Sequence, residues 1–494
     1  NCFHNVLCLS KAKGMDIKMT DLEKIISYFK QISKIPRTSG DEQAISDYLV
    51  AFAKERNLEV IQDEYNNVII KKPAFPGEEH RRPIIFQGHI DMVYVKTEDS
   101  DHRYEDGIEV LDNGEFLYAK DTTLGADNGI AVCYALMLLD SKDIKNPPLE
   151  FIFTVDEEVG MKGAENLDMS VLEGKALINL DSEEEGIFCV GCAGGVRNTF
   201  ELPIEREEKH GTYVPVEVSF GKLQGGHSGA DIHLERGNAI KLLGRILYAL
   251  NDFGFEIGAV EAKGKMNVIC HSAKMECFVR PEDVERFTEC LKACEAVFQN
   301  ELQFSDEVEV LVEVKPEVDS CTVYTEKTAS NVKNALLLLP NGIISWSMGV
   351  KGLVQTSTNL GVMEEEDGKL VIGSLVRSSV ESQKSIVKSQ IEAVADVLGG
   401  KSISSSDYPG WEFKKESPLR DLAIEKYEAL FGKKAVIEAI HAGLECGFWD
   451  GKMENVDIIS MGPDMMDVHT VKERVSKQSI DNVWKLLKEI VEAY

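Results

Sequence analysis

Ile84-Ile85-Phe86-Gln87-Gly88-His89-Ile90-Asp91-Met92 is a short apolar run that ends in an imidazole and a carboxylate, and the rest of the chain repeats its design. The apolar stretch 149–155 runs into Asp156-Glu157-Glu158, and 176–180 into Asp181-Ser182-Glu183. The stretch 456–461, with Asp457 its one charged interruption, is followed by Gly462-Pro463-Asp464 and then His469. Together with 436–440 these read as buried strands alternating with helices, which predicts an α/β layer fold around a mainly buried sheet. Open sheets of this kind place their ligand crevices at the carboxyl ends of the strands, where these polar residues fall.

Helices flank the strands. Thr20 and Glu23 form a capping box ahead of Leu22, Ile25, Ile26, Phe29 and Ile32 at helical spacing. Ser39 and Glu42 offer a second cap before Ile45, Tyr48, Leu49 and Phe52. The last helix carries Ile480, Val483, Leu487, Ile490 and Val491 on one face and is expected to pack back on the first domain. Between them the pattern changes to hairpin-like strands and long amphipathic helices over 238–250, 281–299 and 379–398. That predicts an inserted α+β domain at 196–413, built as two units side by side. One catalytic domain is then assembled from 1–195 and 414–494. Residues 1–18 read as an ill-ordered leader, with Met15 or Met19 as natural starts.

At 494 residues the chain suits two domains. Its 84 acidic against 54 basic residues, a formal net charge of -30, argue against nucleic-acid or anionic-membrane binding. No apolar run approaches the roughly 18 to 20 residues that span a bilayer. Eleven scattered cysteines are no disulfide framework and point to reduced thiols in the cytoplasm. Cys189-Val190-Gly191-Cys192 could be a redox pair or half of a zinc knuckle; its apolar neighbours favour buried strand cysteines.

Chemistry concentrates at the strand ends. His89 and Asp91 are two apart on an extended segment and so face the same way. A metal-bound imidazole commonly donates its other N–H to a carboxylate, a role Asp91 suits; a surface loop is the plain alternative. Thr122-Thr123-Leu124-Gly125-Ala126-Asp127-Asn128-Gly129 opens an apolar helix, where Asp127 or Asn128 reads equally as an ordinary N-cap. The three acids 156–158 repel one another unless cations or protons neutralise them, although a solvated acidic loop would also carry them. Two histidines with several carboxylates form the N/O donor set of zinc or a similar divalent ion.

In order and spacing, the segments GHIDMV, TTLGADNG, TVDEEVG, NLDSE, GGHSGADIHLERGNA, RSS, HAGLECG and DVHT resemble the aminoacyl-histidine dipeptidases. These are the peptidase D or carnosinase-like enzymes, subfamily C of metallopeptidase family twenty, and the resemblance runs from about Leu22 onward. It implies a zinc-exopeptidase catalytic domain, a mixed sheet flanked by helices, with the inserted α+β segment as a lid. It further implies two Zn2+ per subunit, with Mn2+ or Co2+ as substitutes, a dipeptide substrate such as carnosine or another Xaa-His pair, and a homodimer. Carried over by position, His89 and His469 are ligands of different ions, Asp127 bridges them, and Glu158 and Asp181 complete one ion each. Glu157 resembles the general base and Asp91 the residue orienting His89. A cis peptide follows Asp127. In the inserted domain His227 resembles the donor to the oxyanion, Arg377 the grip on the substrate carboxylate, and Asn238 a further polar contact. His441 and Glu445 line the substrate pocket without an assigned role.

Two positions depart from the family pattern: Asp121 stands where relatives carry Gly, and Val471 where Pro often follows the final His-Thr. Both bear on loop geometry more than on hydrolysis. A metal-dependent N-acyl amino acid deacylase and a non-catalytic metal or amino-acid binding relative are the competing readings.

Overall fold

The computed structural model describes residues 19–251 and 253–494, so the leader expected at 1–18 lies outside the described residues. The chain divides into two compact units. One takes the described residues up to Phe188 with Pro418–Val436 and Ile459–Tyr494; the other takes Cys189–Ser417 and Ile437–Ile458.

In the first unit, strands Glu59–Gln62, Val68–Lys72, Leu149–Thr154, Ile84–His89 and Ala176–Asn179 lie side by side in that order. The first two junctions are antiparallel, and Ile84–His89 runs parallel to both of its neighbours, so the sheet is mixed. The two parallel central strands that precede the site, Ile84–His89 and Leu149–Thr154, are buried along their whole length. They read as continuous apolar runs because helices cover both faces of such strands. Helix Ala126–Asp140 is buried on nearly every side, as its unbroken run from Ile130 to Leu139 requires. Helix Asp21–Ile32 begins with the Thr20/Glu23 capping box.

The last helix, Lys477–Ala493, packs on the first domain as its apolar face predicts. Trp484 stacks on Tyr134 with ring centres 6.4 Å apart and donates to Asp21 at 2.8 Å. A small sheet places strands Met465–Met466 and Arg474–Ser476 beside Phe116–Tyr118 and Leu111–Asp112. The hairpin bearing His469 is thereby fixed to the first half of the chain.

The second helix, Gln43–Glu55, corrects the sequence reading of its start. Neither Ser39 nor Glu42 caps it through a side chain. Ser39 instead donates to Asp91, and Glu42 accepts from the backbone N–H of Asp156 at 3.1 Å. A polar pair that looks like a local cap has been drawn into long-range contacts.

The second unit contains two five-stranded sheets. In one, Arg206–Gly221 is central; in the other, Lys369–Ser378 lies between Val354–Glu366 and Gly194–Pro203. Helices Ala239–Ala249, Val284–Leu302, Glu326–Leu338 and Glu381–Leu398 supply the rest of its core. Residues 437–458 group with this unit. The Ala193 N–H bonds to the carbonyls of Ile440 and Ala442, and Gly447 sits so close to Pro409 that a Cβ would lie 2.2 Å from its carbonyl oxygen. Cys189 and Cys192 are free and buried in strand Ile187–Cys192. Burial pushes their thiols up to about 11 and about 12, which suits packing and not redox chemistry. Among the described residues no helix is long and apolar enough to cross a membrane.

Candidate active site

Three parallel-sheet strand ends, one helix start and one hairpin of the first unit converge. His89 ends its strand fully buried, with Nδ1 3.2 Å from Asp91 Oδ1 and Nε2 facing Asp127 Oδ1 at 3.0 Å and Asp181 Oδ1 at 3.4 Å. His469 Nε2 faces the other Asp127 oxygen at 3.1 Å and Glu158 Oε1 at 2.8 Å. Asp127 therefore stands between two half-sites, each made of one imidazole and two carboxylates. The Asp127–Asn128 peptide bond is cis. Asp127 is no plain N-cap: its carboxylate points at the two histidines.

These residues fit a pair of divalent cations. Two donors on one tetrahedral zinc, each about 2.0 to 2.2 Å from it, lie roughly 3.3 to 3.6 Å apart. Donor atoms of His89, Asp127 and Glu158 all fall within 4.8 Å of one another, and those of the two half-sites meet at 2.8 to 3.4 Å. The local charge balance makes the same demand. Burial, then Asp127 and Asp181, push Glu183 up to about 7. Burial likewise raises Asp181 to about 6 despite His89. Asp127 is buried too, yet hydrogen bonds from His469 and His89 hold its carboxyl below the usual range. Hydrogen bonds to Asp127 and Glu158 lift His469 to about 10. Crowded carboxylates that hold this much positive charge on imidazoles are a cation-binding arrangement.

Asp91 organises more than His89. It is fully buried and accepts from Ser39 Oγ at 2.7 Å and from the backbone N–H groups of Glu157 and Glu158 at 3.2 and 3.3 Å. One carboxylate thus sets both the imidazole and the acidic loop. Burial works upward on Asp91, but His89, Ser39 and the loop hold it below its ordinary value. Gly88 is required by close approach, since a Cβ there would lie 2.4 Å from Asn128 Oδ1. Asp121 adopts φ 62°, a left-handed conformation that Asp tolerates better than most residues.

The second unit holds its own polar cluster. His227 Nδ1 accepts from the N–H groups of Gly229 and Ala230 at 3.2 and 3.0 Å, which leaves the ring proton on Nε2. Burial and the nearby Arg377 lower its pKa, so His227 is a neutral donor. Arg377 is 5% exposed and has no carboxylate partner among the described residues; Nη1 donates to Tyr408 Oη at 3.1 Å, and Nε is buried without a partner. Gly229 lies between them, where a Cβ would be 3.1 Å from His227 Cε1 and 3.3 Å from Arg377 Cζ. His441 bonds through Nε2 to Ser357 Oγ at 2.7 Å, and burial with Arg377 pushes it down to about 3. Glu445 is fully buried at the start of helix Cys446–Lys452.

Asn238 departs from its expected substrate contact. Its Oδ1 caps helix Ala239–Ala249 through the N–H groups of Ile240 and Lys241, while its Nδ2 donates to Leu360 O and Asn341 Oδ1. Both lone pairs and both N–H groups are engaged inside the unit.

Sequence reasoning missed Arg37 and Glu473. Arg37, 1% exposed, donates to the carbonyls of Ile90, Asp91 and Gly125. Glu473, 3% exposed, accepts from the N–H groups of Leu124, Gly125, Ala126 and Asp127. Neither lies in a pattern that signals a site; only the fold brings them to it.

The family model described as Peptidase family M20/M25/M40 matches residues 85–493. The cytosol non-specific dipeptidase of Escherichia coli (strain K12) is 35% identical over 466 residues, 94% of this chain and 96% of that protein. The crystal structure of aminoacylhistidine dipeptidase from Vibrio alginolyticus superposes with a TM-score of 0.91 at 35% identity, covering 95% of this chain and 96% of that one. The aminopeptidase PepT from Bacillus cereus ATCC 10987, at 16% identity and a TM-score of 0.54 over 95% of this chain and 98% of that one, shares the fold.

Proposed function

The chain belongs to peptidase family M20/M25/M40, and from that premise we propose that it is a cytoplasmic, two-zinc dipeptidase that cleaves Xaa-His pairs such as carnosine and other dipeptides. The observation that carries this reading is Asp127 standing between two His-plus-carboxylate half-sites. The dipeptidase names of two relatives, each 35% identical over nearly their whole length, support the substrate class. The word cytosol in one of those names supports the location.

His89, Asp127 and Asp181 would hold one cation and His469, Asp127 and Glu158 the other. Bound there, the pair would supply a water that ionises near neutral pH and a Lewis acid for the scissile carbonyl. Asp91 keeps the His89 proton on Nδ1, which leaves Nε2 as a ligand. Glu157 takes the proton of the attacking water and delivers it to the leaving amine; a carboxylate serves as both base and acid when its pKa lies between those two steps. The neutral Nε2–H of His227 donates to oxyanion charge without itself being deprotonated. Arg377, a buried guanidinium with no carboxylate partner among the described residues, takes the terminal carboxylate of the substrate. The protein acts as a homodimer, and Mn2+ or Co2+ can replace zinc in this donor set.

Two measurements test these assignments. In a panel of dipeptides that includes carnosine, chelation abolishes cleavage and zinc or manganese restores it; activity on N-acetyl amino acids but on no dipeptide would sink the proposal. Arg377→Ala raises KM for dipeptides by about 10²-fold, the loss of roughly 3 kcal/mol from a charge-assisted bidentate contact. An unchanged KM would remove Arg377 from the substrate site.

A further inference from the structure

We propose that Glu473 is a positioning residue that keeps Asp127 available as the bridging ligand, with Arg37 holding the same turn from the other side. This inference rests on the metal reading of the site given above. The first N–H groups of a helix have no partner within it and are usually satisfied by a nearby Ser, Thr, Asp or Asn. Leu124 to Asp127 form a turn ahead of the regular helix, since Asp127 and Asn128 have non-helical φ/ψ, and no local side chain caps it. Its donors go to a carboxylate nearly 350 residues away: Glu473 Oε2 accepts from Leu124 and Gly125 at 2.8 and 3.0 Å, and Oε1 from Ala126 and Asp127 at 2.8 and 3.4 Å.

The consequence falls on Asp127. The backbone N–H of Asp127 is itself one of the donors Glu473 takes, so Glu473 fixes the main chain from which the Asp127 side chain departs. With that main chain held, the two Asp127 oxygens face His89 and His469. Glu473 also lies four residues beyond His469, so the contact ties the hairpin of one half-site to the helix start that both share. Arg37 completes the clamp. It donates to Gly125 O at 2.5 Å and to the carbonyls of Ile90 and Asp91 at 2.9 and 3.0 Å, linking the same turn to the strand end of His89. The turn thus presents its N–H groups to an anion and a carbonyl to a cation, and the shared ligand cannot move without breaking one of them.

Glutamine at 473 keeps the size but offers one acceptor oxygen and sets an NH2 group against two N–H donors. Zinc affinity of the full chain is read by competition with a chromophoric chelator, alongside the visible spectrum of the cobalt-substituted protein and the thermal midpoint of the chelated protein. The expected result for Glu473→Gln is zinc binding about 10- to 100-fold weaker, the usual effect of losing a partner that orients a ligand, with an altered cobalt spectrum and a folded chelated state. Glu473→Asp, which keeps the charge, recovers part of the affinity. Parent-like zinc affinity and cobalt spectrum in Glu473→Gln would overturn the proposal. So would loss of the folded chelated state in both variants, which would make Glu473 a folding residue alone. A parent chain that binds no zinc would instead overturn the metal reading itself, so the two failures are distinct.

Discussion

Glu157→Gln lowers kcat by about 10²- to 10⁴-fold and leaves both metal ions bound, the effect expected when a general base is removed from an intact metal centre. The two neighbouring acids divide the work. Glu158 Oε1 lies 2.8 Å from His469 Nε2, within a half-site, whereas Glu157 is the residue read as the base. Both backbone N–H groups bond to Asp91, so substitution at 157 leaves the loop anchored. Steady-state kinetics on a dipeptide, with metal content measured on the same preparation, decide the matter. Turnover within threefold of the parent would remove Glu157 from the chemistry, and loss of metal would make it a ligand.

Asp127→Ala carries the second large effect. Because one carboxylate serves both half-sites, its removal lowers bound metal from two ions per chain to at most one. Activity then falls by about three orders of magnitude, which corresponds to losing several kcal/mol of charge stabilisation. His469→Ala, which strips a ligand from one side only, weakens one ion and spares the other. Equilibrium dialysis with metal analysis separates the two patterns. Two ions still bound to Asp127→Ala would show that the half-sites are independent and that the bridge is misassigned.

Much of this centre was legible before any coordinates. Apolar runs ending in His89, Glu158 and Asp181 mark the sheet and its carboxyl edge together, because a buried strand must be apolar and a polar residue at its end is otherwise unexplained. The capping box at Thr20 and the one-faced final helix were equally local and equally readable. Failures came where a local pattern had a distant competitor. Ser39 looked like a cap and serves Asp91; Asn238 looked like a ligand contact and caps a helix.

The sequence alone therefore determined the α/β layer fold, the inserted α+β unit and the identity of the converging acids and histidines, because hydrophobic periodicity and strand ends are properties of neighbouring residues. Tertiary structure alone decided which oxygen of Asp127 faces which histidine, that Asp91 sets the acidic loop as well as His89, and that Arg37 and Glu473 grip the turn between them. Those facts depend on hydrogen bonds across dozens to hundreds of residues. Buried donors and acceptors must all find partners, and which ones they find is settled only when the whole unit has closed around them.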